Sequence, residues 1–172
     1  RAPREDRGAA TGRGAPGAPQ VASRLDYGRS APDAVSALRQ LETYVRGCGL
    51  EPSLLELIRL RASQLNGCAP CIDLHHRNAR RAGETKERLD ALATWPETPL
   101  FTPRERAGLA WSEAVTRVGI ARVDDETYAL AREQFDEREL VNLTMAAVAI
   151  NGWNRLAVAF RVEPGTYQLG LG

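Results

Sequence analysis

The sequence predicts an all-α protein, on three observations. Apolar residues recur every three or four positions along most of the chain, which is the period of a helix face. Helix start and stop signals bracket those stretches: Pro in first turns, capping pairs and glycines. No segment of useful length alternates apolar and polar residues as a half-buried strand does.

Ser30 to Arg46 carries apolar residues at Val35, Leu38, Leu41 and Val45, and Gly47 or Gly49 can stop it. Pro52 sits where a first helical turn tolerates it. Leu54, Leu55, Ile58, Leu60 and Leu65 then make a strongly apolar helix ending near Asn66-Gly67. A third helix opens at the Cys68/Cys71 motif and closes at Gly83. A short fourth, from Thr85 to Thr94, precedes the turn-rich Trp95-Pro96-Glu97-Thr98-Pro99. Thr102-Pro103-Arg104-Glu105 is a capping-box pattern with Pro at the first helical position, and it starts a helix through Leu109, Ala110, Ala114 and Val115. Asp124 to Phe135 forms the next helix and Asp136 to Phe160 the longest. Within it Leu143 to Ile150 is apolar nearly all round, which predicts burial in the domain or at a subunit interface. The tail after Pro164 reads as irregular.

The chain has 172 residues, of which 43% are hydrophobic, enough for one domain with a real core. A formal charge of +1 gives no excess of positive charge to favour nucleic acid. Three cysteines are too few, and odd in number, for a secreted disulfide framework. No apolar run approaches the roughly 18–20 residues of a membrane span, and no signal-peptide core follows the N-terminus; a cytoplasmic protein without membrane or nucleic-acid partners is expected. Residues 1–24 are rich in Gly, Ala, Pro and Arg, with five Arg against Glu5 and Asp6, and lack apolar periodicity. They read as a disordered N-terminal extension, leaving residues 25–172 as the domain.

The chemistry concentrates in Asn66-Gly67-Cys68-Ala69-Pro70-Cys71-Ile72-Asp73-Leu74-His75-His76, which holds two of the three cysteines and both histidines. Residues at i, i+3 and i+4 share one helix face, so Cys68, Cys71 and His75 should converge. Three readings follow. Two small core residues can lie close by accident, although a histidine at the right offset and an Asn-Gly break argue against it. Zinc needs a fourth ligand from His76, Cys48 or Glu56, and His76 projects about 100° away from His75. Dithiol redox chemistry fits the local structure best. A helix start offers unpaired N–H groups and a dipole that favour a thiolate, His75 can move a proton near neutral pH, and Pro70 stiffens the turn.

These residues resemble a known family. The run from Glu56 through Asn66-Gly67-Cys68-Ala69-Pro70-Cys71 to His75 is similar to the core of alkylhydroperoxidase D (AhpD)-like proteins, of the carboxymuconolactone decarboxylase superfamily. Arg24-Leu25-Asp26-Tyr27, Arg104-Glu105-Arg106-Ala107 and Ile150-Asn151-Gly152-Trp153-Asn154-Arg155 extend the likeness to roughly residues 24–167. The resemblance implies an all-helical, oligomeric AhpD-like subunit, in a trimer or hexamer, that reduces hydrogen peroxide or organic hydroperoxides. It implies Cys71 as the peroxidatic cysteine, Cys68 as the resolving cysteine and proton donor, and His75 and Glu56 in a proton relay. It implies an external dithiol reductant, a lipoyl-bearing protein in the best-known branch. Neither a cofactor nor a metal is expected at the site.

One departure bears on rate. The family's fullest relay has a histidine immediately before the second cysteine, where this chain has Pro70, so the relay must be shorter or differently routed, and weaker peroxidase activity than in the fullest members is expected. Decarboxylation of a lactone-type substrate and a non-catalytic redox-sensing module are the alternatives; the Cys-x-x-Cys argues against the first. Elsewhere the expectations are structural. Alone, Glu56 would read as an exposed acid or a dipole partner with Glu51. Asp73 and His76 read as solvated or interface residues, and Cys48 as a small residue in a turn, with a third redox thiol as its alternative. Trp111, Trp153 and Tyr128 read as core or interface, and Arg155 as the partner of a buried acid or a neighbouring subunit.

Overall fold

The computed structural model describes residues 22–165. The tail beyond them and the predicted extension as far as residue 21 lie outside the described residues. Among the described residues the fold is helical throughout: α1 (Tyr27–Ser30), α2 (Pro32–Arg46), α3 (Pro52–Leu65), α4 (Ala69–Arg81), α5 (Lys86–Ala91), a 3₁₀ turn (Leu92–Glu97), α6 (Pro103–Thr116), α7 (Asp125–Gln134) and α8 (Glu137–Phe160).

Two boundaries differ from the sequence reading, both because of proline. The helix expected from Ser30 begins at Pro32, because a residue before proline is pushed out of the helical region; Ala31 sits at φ −142°, ψ 69°, and separates α1 from α2. The helix expected from Thr85 to Thr94 is α-helical only to Ala91. Pro96 has no N–H, and its ring would crowd the carbonyl four residues back. The chain therefore tightens into the 3₁₀ turn, with Thr94 kinked to φ −120°, ψ 31°. The expected capping box forms, Thr102 with Glu105 at α6, and a second joins Asp136 with Glu139 at α8. Arg161, left-handed at φ 55°, stops α8.

Helix α3 is the axle. Leu54, Leu55 and Ile58 pack with Phe135, Leu140 and Leu143 in one cluster. Leu57 and Leu60 pack with Leu92, Trp95 and Leu109 in another. Its third face is a polar stripe, Glu56, Arg59 and Ser63, at helical spacing. All three are buried, against α4, α2 and α8 respectively. In α8 the stretch expected to be buried is so at Leu143, Ala146, Ala147, Ala149 and Ile150, whereas Val148 is 46% exposed. Among the described residues no helix is long and apolar enough to cross a membrane.

Candidate active site

The site is built where α3 hands over to α4. After Asn66 the backbone turns at Gly67, whose φ of 64° lies in the left-handed region that a side chain disfavours. Cys68 then caps α4, and its N–H reaches back to the Ser63 carbonyl at 3.0 Å. The turn is held from α8: Asn66 Nδ2 donates to Asn151 Oδ1 and Asn154 Oδ1, each at 2.9 Å. Asn154 in turn donates to Ser63 Oγ at 3.1 Å. This all-amide lock fixes where the first cysteine starts the helix.

Cys68 and Cys71 are joined as a disulfide, with Cα atoms 5.3 Å apart. Cys71 lies in the first turn of α4, where N–H groups have no partner within the helix. Both cysteines are fully buried, in a cluster with Val35, Leu74, Trp153 and Ala157. Pro70 is buried between them, so that position offers no N–H.

His75, one turn after Cys71, is 1% exposed. Its Nδ1 lies 2.9 Å from Glu56 Oε2. Burial pushes the Glu56 carboxyl up, but the hydrogen bond and charge of His75, with the Arg59 guanidinium, overcome it and hold Glu56 below its ordinary value. An ionised carboxylate only accepts, so Nδ1 carries the proton of this contact. Nε2 is the other end of the ring, buried and without a hydrogen-bond partner among the described residues; the same holds for Trp153 Nε1 in the cysteine cluster. Two buried polar atoms thus stand unpaired, one on the ring a helical turn after Cys71 and one on a residue of the cysteine cluster, a situation that costs about 1–3 kcal/mol each.

Two residues of this network went unread in the sequence. Arg59 donates to Glu56 Oε1 at 2.8 Å and, through its other terminal nitrogen, to Glu42 Oε1 at 2.5 Å. Glu42, from α2, is 1% exposed and Arg59 3%. Both carried a signal. Val35, Leu38 and Val45 mark a stripe whose missing step is position 42, and Arg59 interrupts an apolar run between Ile58 and Leu60.

The structure therefore brings all four expected site residues, Glu56, Cys68, Cys71 and His75, to the junction of α3 and α4. Glu56 is a buried member of the network, unlike the exposed acid that it would be alone. Cys48 is elsewhere, packed against the cluster of Leu54 and Leu143. Among the described residues no three of His, Cys, Asp and Glu group as they would around a metal ion. His76 and Asp73 are half-buried, and Asp73 pairs with Arg77 at 3.0 Å. Trp111 is half-buried, with Nε1 on Thr144, and stacks at a tilt on the half-exposed Tyr128. Arg155 meets no acid among the described residues; it donates to the backbone and side-chain oxygens of Asn151, because the buried polar groups nearby on α8 are amides.

The carboxymuconolactone decarboxylase family model matches residues 31–114. The uncharacterised protein YdfG of Bacillus subtilis is 38% identical over 139 residues, covering 81% of this chain and 95% of that one. A protein of unknown function from Agrobacterium tumefaciens, provisionally named an antioxidant defence protein AhpD, superposes with a TM-score of 0.81 at 39% identity, over 83% of this chain and 98% of that one. The debrominase Bmp8 shares the fold at a TM-score of 0.72 and 19% identity, over 79% of this chain and 73% of that one. With a helical fold and a cysteine–histidine–glutamate site of this kind, the chain belongs to the carboxymuconolactone decarboxylase family, as an AhpD-like member of that superfamily.

Proposed function

We propose that the protein is a thiol-dependent peroxidase of hydrogen peroxide or organic hydroperoxides, working as a homo-oligomer of three or six subunits with an external dithiol as reductant. The observation that carries the reading is the Cys68–Cys71 pair, close enough to be bonded, beside a buried His75 whose Nδ1 is taken by Glu56. In the reduced state the Cys71 thiolate attacks one peroxide oxygen and the O–O bond breaks. The sulfur is oxidised to a sulfenic acid, and the departing alkoxide or hydroxide takes a proton, supplied by Cys68 and the His75–Glu56 relay. The Cys68 sulfur, its proton given up, then displaces the sulfenic hydroxyl, which takes the proton that the His75–Glu56 relay received from the Cys71 thiol and leaves as water as the disulfide forms. A dithiol such as a lipoyl group restores the pair by exchange and is itself oxidised. The unpaired Nε2 of His75 and Nε1–H of Trp153 support the reading, because an arriving oxygen atom gives such atoms a partner.

A steady-state peroxide assay with several dithiol donors tests this. Cys71→Ser is expected to abolish dithiol-dependent peroxide consumption, and Cys68→Ser to leave a sulfenic acid on Cys71 that a dimedone probe traps. Equal residual turnover in the two variants would rule the mechanism out. A reversible disulfide without turnover above that of free dithiol would instead identify a redox sensor. Decarboxylation that survives alkylation of both thiols would identify lactone chemistry.

A further inference from the structure

We propose that Arg59, seated on Glu42, is the positioning residue of the site, and that the pair Glu42–Arg59 sets the proton demand of the dithiol through Glu56 and His75. This rests on reading the dithiol as the reactive centre. Arg59 divides its terminal nitrogens between two carboxylates, Glu56 at 2.8 Å and Glu42 at 2.5 Å. Its hold on Oε1 of Glu56 leaves Oε2 to take Nδ1–H of His75, so that Nε2 is the nitrogen left unpaired, on a ring one helical turn after Cys71. Without Arg59 the Glu56 carboxylate can rotate, and the ring loses its fixed tautomer and orientation, as happens whenever the partner that holds a working histidine is removed.

Charge makes the same point independently. Glu42, Arg59 and Glu56 leave one negative charge uncompensated in a buried unit, and a proton on His75 neutralises it. Uncompensated charge is costly away from water. The surroundings do little to change this. Arg46 touches Glu42 at 3.4 Å but is 42% exposed, so solvent screens it. From α8 the network meets the neutral Asn154, through Ser63, while Trp153 lies in the cysteine cluster. From α1 the Tyr27 phenol packs against that cluster; α4 supplies Cys68, Cys71 and His75, together with a half-buried Asp73 that is paired with Arg77 at 3.0 Å and a half-buried His76. Glu42 is therefore an acid that the core keeps for its charge: an apolar residue would complete the stripe of Val35, Leu38 and Val45.

The sign of each substitution follows from the charge it removes. Loss of a negative charge favours the thiolate and the neutral imidazole; loss of a positive charge does the reverse. The readout is the rate at which iodoacetamide alkylates Cys71 in reduced protein as a function of pH, resolved by mass spectrometry. Glu42→Gln is expected to lower the midpoint of that curve, and Arg59→Gln to raise it, each by about one pH unit, or roughly ten-fold in rate on the limb. Arg59→Lys, which keeps the charge, is expected to return towards wild type. Shifts of the same sign in Glu42→Gln and Arg59→Gln, or none in folded protein, would overturn the assignment, since a merely structural pair has no reason to move the midpoint in opposite directions. Should Arg59→Gln fail to fold, the near-isosteric Glu42→Gln decides alone: no fall in its midpoint overturns the assignment. Peroxide turnover plays no part in this readout. Opposite shifts without turnover in the wild type would end the peroxidase reading and leave the assignment standing; turnover with unmoved midpoints would do the reverse.

Discussion

Glu56 makes the site's demands visible at the level of one residue. A carboxylate buried on an apolar helix would ordinarily take up a proton, yet His75 and Arg59 hold it ionised, below its ordinary value of 4.5. Because the folded value is depressed, Glu56 contributes stability that is fully present above 4.5 and is lost as the pH falls through the folded value. Glu56→Gln removes that proton uptake. Denaturant melts between about pH 3 and 7 are expected to show a shallower acid-side loss in the variant than in the wild type; equal slopes would show that Glu56 is not held ionised by the fold. Cys68, Cys71 and His75 were legible because two cysteines and a histidine at that spacing have few other uses, whereas Glu56 was legible only through the family resemblance. Glu42 was not, because a glutamate on an amphipathic helix reads as solvated unless its neighbours on the same stripe are counted. Arg59 was hidden in the same way, since only the fold shows that two acids from different helices meet it.

At the level of the helix, local signals sufficed where they acted alone and failed where a distant proline competed. The capping boxes at Thr102 and Asp136 place the starts of α6 and α8 as their sequences indicate, because both bonds of the box form within four residues. Pro96 truncates α5 from five residues away, against an apolar pattern that alone would carry the helix to Thr94. The approach of α8 to the cysteine turn was not legible, since the pairing of Asn66 with Asn151 and Asn154 is set by tertiary packing. It makes the start of α8 matter to the site that lies at its far end. Asp136→Ala removes the side chain that accepts from Glu139 N–H at 2.7 Å. The expected cost is about 1 kcal/mol, or a Tm lower by roughly 2–4 °C. Calorimetry checks it, and an unchanged Tm would show that the helix is held by its packing alone.

For the whole molecule, the fold positions chemistry without naming it. Bmp8 shares the architecture at 19% identity, so the shape of the bundle alone does not select an activity, and the site has to. The bundle does leave one surface that bears on the proposed assembly. Val141 and Val148 lie two turns apart on one face of α8, exposed by 61% and 46%. Tyr44 of α2, also exposed, reaches α8 near Val141, where its hydroxyl donates to Asn142 Oδ1 at 2.8 Å. Scattered exposed apolar residues are ordinary, but two on one face of α8, with a tyrosine reaching it from the packed α2, are apolar surface that association would bury. The patch adjoins the helix pair that supplies Glu42 on one side and the asparagine lock on the other, so a neighbouring subunit there would stiffen both supports of the site. Val148→Arg places a charge on that exposed face of α8, at a position that is not part of the core. Sedimentation velocity is expected to show several subunits for the wild type and a smaller species for the variant, with the helical circular dichroism unchanged. A wild type that sediments as one subunit would end the oligomer proposal, and a variant that keeps the wild-type mass would move the interface to another face.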